Sequence, residues 1–159
     1  MPRNRSKEGN ALEMLKRDHD SVETQLGEFE KLDREQVESV RELALRACAE
    51  LRIHTALEEE IFYPALRDVI DDEDILNEAA VEHETARMLI EQLENMPDDD
   101  PNFHATFTVL GEYVRHHVRE EENEMFPAAR KAGLDLEALG QRLRARKEQL
   151  VGEALGAHA

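Results

Sequence analysis

The chain has 159 residues, with 20 Lys or Arg against 37 Asp or Glu and a formal charge of −17. That length is enough for one domain with a core that needs no disulfide, and its one cysteine, Cys48, excludes an internal disulfide and points to a reducing compartment. The charge disfavours phosphate backbones and anionic membranes, and no stretch has the length of a membrane span, so neither nucleic acid nor membrane is an expected partner and the expected location is cytoplasmic.

Seven Gly and five Pro are all that interrupt a sequence rich in Ala, Leu, Glu and Arg, so an all-α fold is expected. Residues 1–10 read as a disordered basic tail. The first helix runs from Ala11 to Lys31 with an apolar stripe through Leu15, His19, Val22, Leu26 and Phe29. Asp33 and Gln36 are placed to cap a second helix, striped by Val40, Ala44, Ala47, Leu51, His54, Glu58, Ile61 and Ala65. Pro64 either kinks it or opens its last turn.

The acidic run Asp71–Asp74 suits the start of a third helix, with Leu76, Ala79, His83, Ala86, Ile90 and Leu93 on one face. After the loop around Pro97, Asp100 is a candidate cap for a fourth helix, striped by Phe103, Phe107, Leu110, Val114, His117, Glu121 and Met125 and ended by Pro127 and Gly133. A helical domain over 11–132 is followed by an amphipathic C-terminal helix and tail over 133–159, expected to pack outside it.

Six metal-capable side chains interrupt these stripes in two copies of one pattern: His19, then His54 and Glu58; His83, then His117 and Glu121. Corresponding residues lie 64, 63 and 63 positions apart, and Pro64 and Pro127 repeat at 63. Burying any one such group without a partner costs roughly 2–7 kcal/mol for a neutral polar group and more for a charge, so six of them must share something. Metal ions at the centre would satisfy them. The i, i+4 spacing of each His-x3-Glu sets both side chains on one face, one turn apart. Four imidazoles and two carboxylates suit iron, with manganese or zinc as alternatives, and exceed what one tetrahedral zinc needs. Singly, each histidine would read as a hydrogen-bonded core residue; the repeat overturns that.

With Arg17-Asp18-His19-Asp20, the run from His54 to Pro64, Glu82-His83-Glu84 and the run from His117 to Pro127, the chain resembles the hemerythrin-like, HHE cation-binding family over about Leu12 to Lys131. The resemblance implies an antiparallel up-down four-helix bundle in which Glu58 and Glu121 bridge two non-haem iron ions through an oxo- or hydroxo-bridged centre. The Glu-x-x-His motif of ferritin-like proteins is absent, since Leu51, Ala80 and Val114 precede His54, His83 and His117 by three. Oxygen-carrying members are expected to have a further histidine one turn after His83; here that position is Arg87, which disfavours reversible O₂ carriage and leaves an exchangeable position.

His116 competes with His117, and the helical period favours His117. Tyr63 or Tyr113 could fill the position left by the missing histidine, although the favoured reading of both is structural; Glu82 and Glu84 read as solvated, His104 and His158 as surface residues, and Cys48 as a small packing residue. The function expected is a di-iron protein that binds or reacts with O₂, H₂O₂ or NO in oxidative or nitrosative stress defence, with no catalytic acid or base assigned. The alternatives are an iron- or oxygen-responsive regulatory module, iron storage without turnover, and a structural bundle with incidental histidines.

Overall fold

The computed structural model describes residues 9–156. Most of the basic tail and His158 lie outside the described residues. Helix α1 spans Ala11–Lys31 and opens with a reciprocal cap: Asn10 Oδ1 accepts the Glu13 amide at 3.0 Å, while the Glu13 carboxylate accepts the Asn10 amide at 3.4 Å. Helix α2 spans Val37–Leu57, passes through a π-helical turn at Glu58–Phe62, and continues as α3, Tyr63–Arg67. Helix α4 spans Glu73–Asn95. Helix α5, Phe103–Glu120, passes through a second π turn at Glu121–Met125 into α6, Phe126–Lys131. Helix α7, Leu136–Gly156, closes the described chain.

The two π turns begin at the two carboxylates of the repeated pattern, and proline explains why. Pro64 has no amide hydrogen to continue the i→i−4 ladder, and its ring crowds the carbonyl one turn back. A wider turn relieves the crowding: the Tyr63 amide bonds the Glu58 carbonyl and the Phe126 amide bonds the Glu121 carbonyl, both i→i−5. Pro127 therefore does not end the fourth rod. It sits inside the first turn of α6, and the chain leaves the helix at Gly133, whose φ of 74° favours glycine. Past Glu58 the inward face also shifts, with Phe62 and Leu66 fully buried and Ala65 only partly so.

Two expected caps are displaced. Asp33 accepts the Glu35 amide at 2.9 Å and shapes the turn before α2, which opens at Gln36 without a side-chain cap. Asp100 accepts the Asn102 amide at 2.8 Å and organises the turn before α5. Asp72 caps α4 and Asp135 caps the start of α7.

Helices α1 and α2 pack as one hairpin, α4 and α5 as another, and the pairs meet through α2 with α4 and α1 with α5. The core falls into two apolar layers. One contains Val22, Leu26, Phe29, Leu51, Ile90, Leu93 and Phe107; the other contains Leu12, Leu15, Leu57, Phe62, Leu66, Leu76, Met125 and Phe126. Along every rod the metal-capable residues fall between the stretches that supply these layers, and all six are buried. Helix α7 lies across α1, α2 and the first π turn, burying Leu139 and Leu143 in the second layer. Gly140 permits the approach, because a Cβ there would stand 3.1 Å from the Ala11 nitrogen and 3.2 Å from the Asn10 carbonyl carbon.

Candidate metal centre

The six expected residues converge. Ligand atoms of His19, His54, Glu58 and Glu121 lie within 4.8 Å of one another, as do those of Glu58, His83, His117 and Glu121. Both carboxylates therefore belong to both groups. All four histidines turn Nε2 inward: His54 and His83 each stand 3.2 Å from Glu58 Oε1, His19 stands 3.2 Å from Glu121 Oε1, and His117 stands 3.1 Å from Glu121 Oε2. Glu121 thus turns one oxygen to each group. His116 is on the outer side of α5, where it pairs with Glu120 at 3.0 Å, so the buried member of the His116–His117 pair is His117.

Inward atoms are short of hydrogen-bond donors. Neither oxygen of the wholly buried Glu58 has a hydrogen-bond partner, nor has Glu121 Oε1; the imidazole contacts to them lie at ion-pair distance but outside hydrogen-bond geometry. Nitrogen faces nitrogen at 3.1 Å between His19 and His54 and at 3.2 Å between His83 and His117. Lone pairs that oppose one another in a dry interior require cations between them, and this cluster of histidine and glutamate is able to hold metal.

Without metal, protons take that role. Burial opposes the His54 imidazolium, yet the charge of Glu58 and the hydrogen bond that His54 donates to Asp18 outweigh it and hold the His54 pKa well above the usual range. Burial likewise opposes charge on His117, while its hydrogen bond to Glu121 and the facing Glu82 carboxylate push its pKa up to about 10. Burial disfavours the Glu58 carboxylate, but the charge of His54 and the polar groups of Glu121 and His83 that face it hold its pKa well below the usual value.

An outer ring of carboxylates orients the imidazoles. His19 Nδ1 meets Glu122 at 2.8 Å, His54 Nδ1 meets Asp18 at 2.9 Å, His117 Nδ1 meets Glu82 at 3.5 Å, and His83 Nδ1 faces Glu59 at 3.9 Å. At His19 and His54 the partner is within hydrogen-bond reach, where it holds a proton on Nδ1 and leaves the Nε2 lone pair for a metal; at His83 and His117 the carboxylate faces Nδ1 outside hydrogen-bond geometry. Each stands in sequence beside an inner residue: Asp18 by His19, Glu59 by Glu58, Glu82 by His83, Glu122 by Glu121. The ring repeats at the same spacing, 64 from Asp18 to Glu82 and 63 from Glu59 to Glu122. Sequence reasoning missed it, reading Glu82 as solvated when it is largely buried against His117. The adjacent acidic residues, shared by both repeats, were the available signal. Two of the ring are themselves held by cations, Asp18 by Lys147 of α7 at 2.7 Å and Glu59 by both terminal nitrogens of Arg87 at 2.7 and 2.9 Å. Arg87, at the position of the expected further histidine, thus serves the outer ring.

Of the two tyrosines, Tyr63 is the one that reaches the centre. Its hydroxyl lies in the second group, donating to Glu121 Oε2 at 2.6 Å and standing 3.2 Å from Nε2 of both His83 and His117. Burial and the charges of Glu58 and Glu121 keep its pKa well above the usual phenol value, so it is a donor. At 100° per residue a regular α-helix would turn residue 63 about 140° from Glu58; the π turn brings it back over the carboxylate. The residue 63 positions later is Phe126, stacked on His19 with ring centroids 5.9 Å apart. The groups therefore differ, one edged by a phenol and the other by a phenyl ring. Tyr113 is half-exposed on α5, and the His104 ring lies against Phe29, partly exposed. Cys48 is buried in the first layer, where desolvation pushes its thiol up to about 12, leaving it unreactive.

Beside the centre lies a cavity of about 30 Å³, walled by Val22, Leu51, Ala86 and Val114 as well as by His19, His54, Glu58, His83 and His117. No helix among the described residues is long and apolar enough to cross a membrane.

The family profile described as Hemerythrin HHE cation binding domain matches residues 10–129, stopping short of α7. A DNA nickase from Nostoc sp. is 27% identical over 76% of this chain, which spans only 34% of that protein. An uncharacterized protein of Mycobacterium tuberculosis is 30% identical over 92% of this chain and 90% of its own length. The crystal structure of a hemerythrin HHE cation binding domain-containing protein from Mycobacterium kansasii superposes with a TM-score of 0.78 at 28% identity, covering 92% of this chain and 90% of that one.

Proposed function

Because the chain belongs to the hemerythrin HHE cation-binding family, we propose that His19, His54, Glu58, His83, His117 and Glu121 hold two iron ions and that the centre binds or reacts with O₂, H₂O₂ or NO. The observation that carries this reading is the sharing of Glu58 and Glu121 by two His-rich groups, because a pair of carboxylates common to both groups is what joins two ions into one centre. Nitrogen and oxygen donors without thiolate suit iron, with manganese and zinc as competitors. Bound iron supplies coordination of the small ligand and electron exchange with it.

The protein's own groups set the conditions. The 30 Å³ cavity has room for one molecule of about the size of water or a diatomic gas, and its apolar walls exclude bulk solvent. Tyr63 holds a proton at its hydroxyl, 2.6 Å from Glu121 Oε2, on one side of the centre only. Neither Tyr63 nor Phe126 lines that cavity: they approach the centre from the second apolar layer, where a hydrogen-bond donor marks one metal position and the Phe126 ring the other. That asymmetry favours reaction over symmetric carriage.

Protein loaded with Fe(II) under nitrogen is expected to bind about two irons per chain and to change its optical spectrum on addition of H₂O₂ or NO. Loading of less than one iron per chain, or a loaded protein whose spectrum neither ligand alters, would refute the assignment.

A further inference from the structure

His116 and Glu120 form a further His-x3-Glu, one residue out of register with His117 and Glu121 and on the outer side of α5. His116 Nε2 lies 3.0 Å from Glu120 Oε1, with the His116 side chain 59% exposed. Glu82 approaches from α4, and one ligand atom from each of Glu82, His116 and Glu120 lies within 4.8 Å of the others. Donor atoms about 2.0–2.2 Å from a common metal fall within that spread.

This arrangement is not a remnant of the internal repeat. The positions 63 earlier than His116 and Glu120 are Ile53 and Leu57, neither of which can ligate a metal. The repeat does pair Glu82 with Asp18, and the comparison is informative. Asp18 receives His54 on one oxygen and the Lys147 ammonium on the other, at 2.9 and 2.7 Å. Glu82 Oε1 stands 3.5 Å from His117 Nδ1, at ion-pair distance but outside hydrogen-bond geometry, while its Oε2 is shielded from solvent and has no hydrogen-bond partner among the described residues. Where the first half supplies an ammonium, the second presents a carboxylate, an imidazole and an orphaned oxygen. The surrounding hollow, about 530 Å³, is lined by Asp74, Glu78, Glu82 and Glu120 and, among the described residues, by no lysine or arginine.

We propose that Glu82, His116 and Glu120 form a third, exchangeable site for a divalent transition-metal ion, outside the buried centre and joined to it through Glu82 and His117. One imidazole and two carboxylates favour borderline ions such as Fe(II), Co(II) or Zn(II) over Mg(II). The site remains open to water, so its ion exchanges freely, and an ion held there stands one carboxylate away from a histidine of the buried centre.

The test is a Zn(II) titration of the full chain by calorimetry in about 0.15 M salt, where diffuse attraction to the acidic surface is screened. Wild type is expected to show a weaker binding class beyond the buried one. The double variant His116→Ala, Glu120→Gln should weaken that class by about tenfold or more and leave the tighter class and the circular dichroism spectrum unchanged. His54→Ala should do the reverse. A double variant that titrates like wild type overturns the proposal. If the tighter class is missing from wild type while a class dependent on His116 remains, the surface site stands and the buried-centre reading falls.

Discussion

Glu58 and Glu121 are each wholly buried and each faces both groups of histidines, so neither substitution is local. Glu58→Gln is expected to reduce bound metal from about two ions per chain to one or fewer, read by elemental analysis after desalting; retention of both would show that Glu58 is no bridge. Tyr63→Phe makes position 63 match Phe126. Metal loading should persist while the reaction with H₂O₂ slows, since only a hydrogen-bond donor is lost; unchanged kinetics would exclude the phenol from the chemistry. Arg87→Ala frees Glu59 and loosens His83, with an expected loss of metal affinity of about tenfold that Arg87→Lys partly restores. The repeated histidines and carboxylates were legible in the sequence because they interrupt otherwise apolar stripes. Tyr63 was not, because its inward direction depends on a turn that leaves the α-helical period.

At the scale of elements, the two prolines and the turns before them decide what each rod presents to the centre. The sequence marks both prolines, yet a one-dimensional pattern does not say whether a proline ends a helix or widens it. That depends on whether the segment beyond still has apolar surface to bury, and Phe62 and Leu66 after Glu58, like Phe126 and Ala129 after Glu121, are buried. Helix α7 was visible as an amphipathic segment, but its grip on α1 rests on Gly140, and its link to the centre rests on Lys147 and Asp18. Gly140→Val should destabilise the protein by about 1–3 kcal/mol, since the clash is with backbone that cannot turn aside. Gly152→Ala on the same helix meets nothing within 4 Å and should be neutral or stabilising by up to about 1 kcal/mol. Equal urea midpoints for the two variants would refute the close approach of α7.

Over the whole molecule, metal and protons compete for one cavity. His117, raised from 6.5 to about 10, stabilises the metal-free fold fully below pH 6.5, and that contribution is lost as pH rises toward 10. His54, raised in the same direction, adds to this. Glu58 is lowered from 4.5, so its contribution is present above pH 4.5 and lost as pH falls through its depressed value. The metal-free protein should therefore be most stable between about pH 4.5 and 6.5. Metal binding must expel the imidazolium protons and strengthens as pH rises. Calorimetric melting with and without Zn(II) should show a larger metal-induced rise in Tm at about pH 8 than at about pH 6; equal shifts would mean that no proton leaves on binding.

By itself the sequence determined the helical class, the rods and the six side chains that interrupt their buried faces, because helical period and the cost of burying unpartnered polar groups act along one chain. Tertiary structure alone decided which atoms meet. It set Glu58 and Glu121 in both groups, gave each histidine a carboxylate from another rod, closed Asp18 with Lys147 while Glu82 stayed open toward Glu120, and turned Tyr63 inward. These are contacts between segments far apart in the chain, and their geometry depends on how wide turns and close helix crossings fit together in three dimensions.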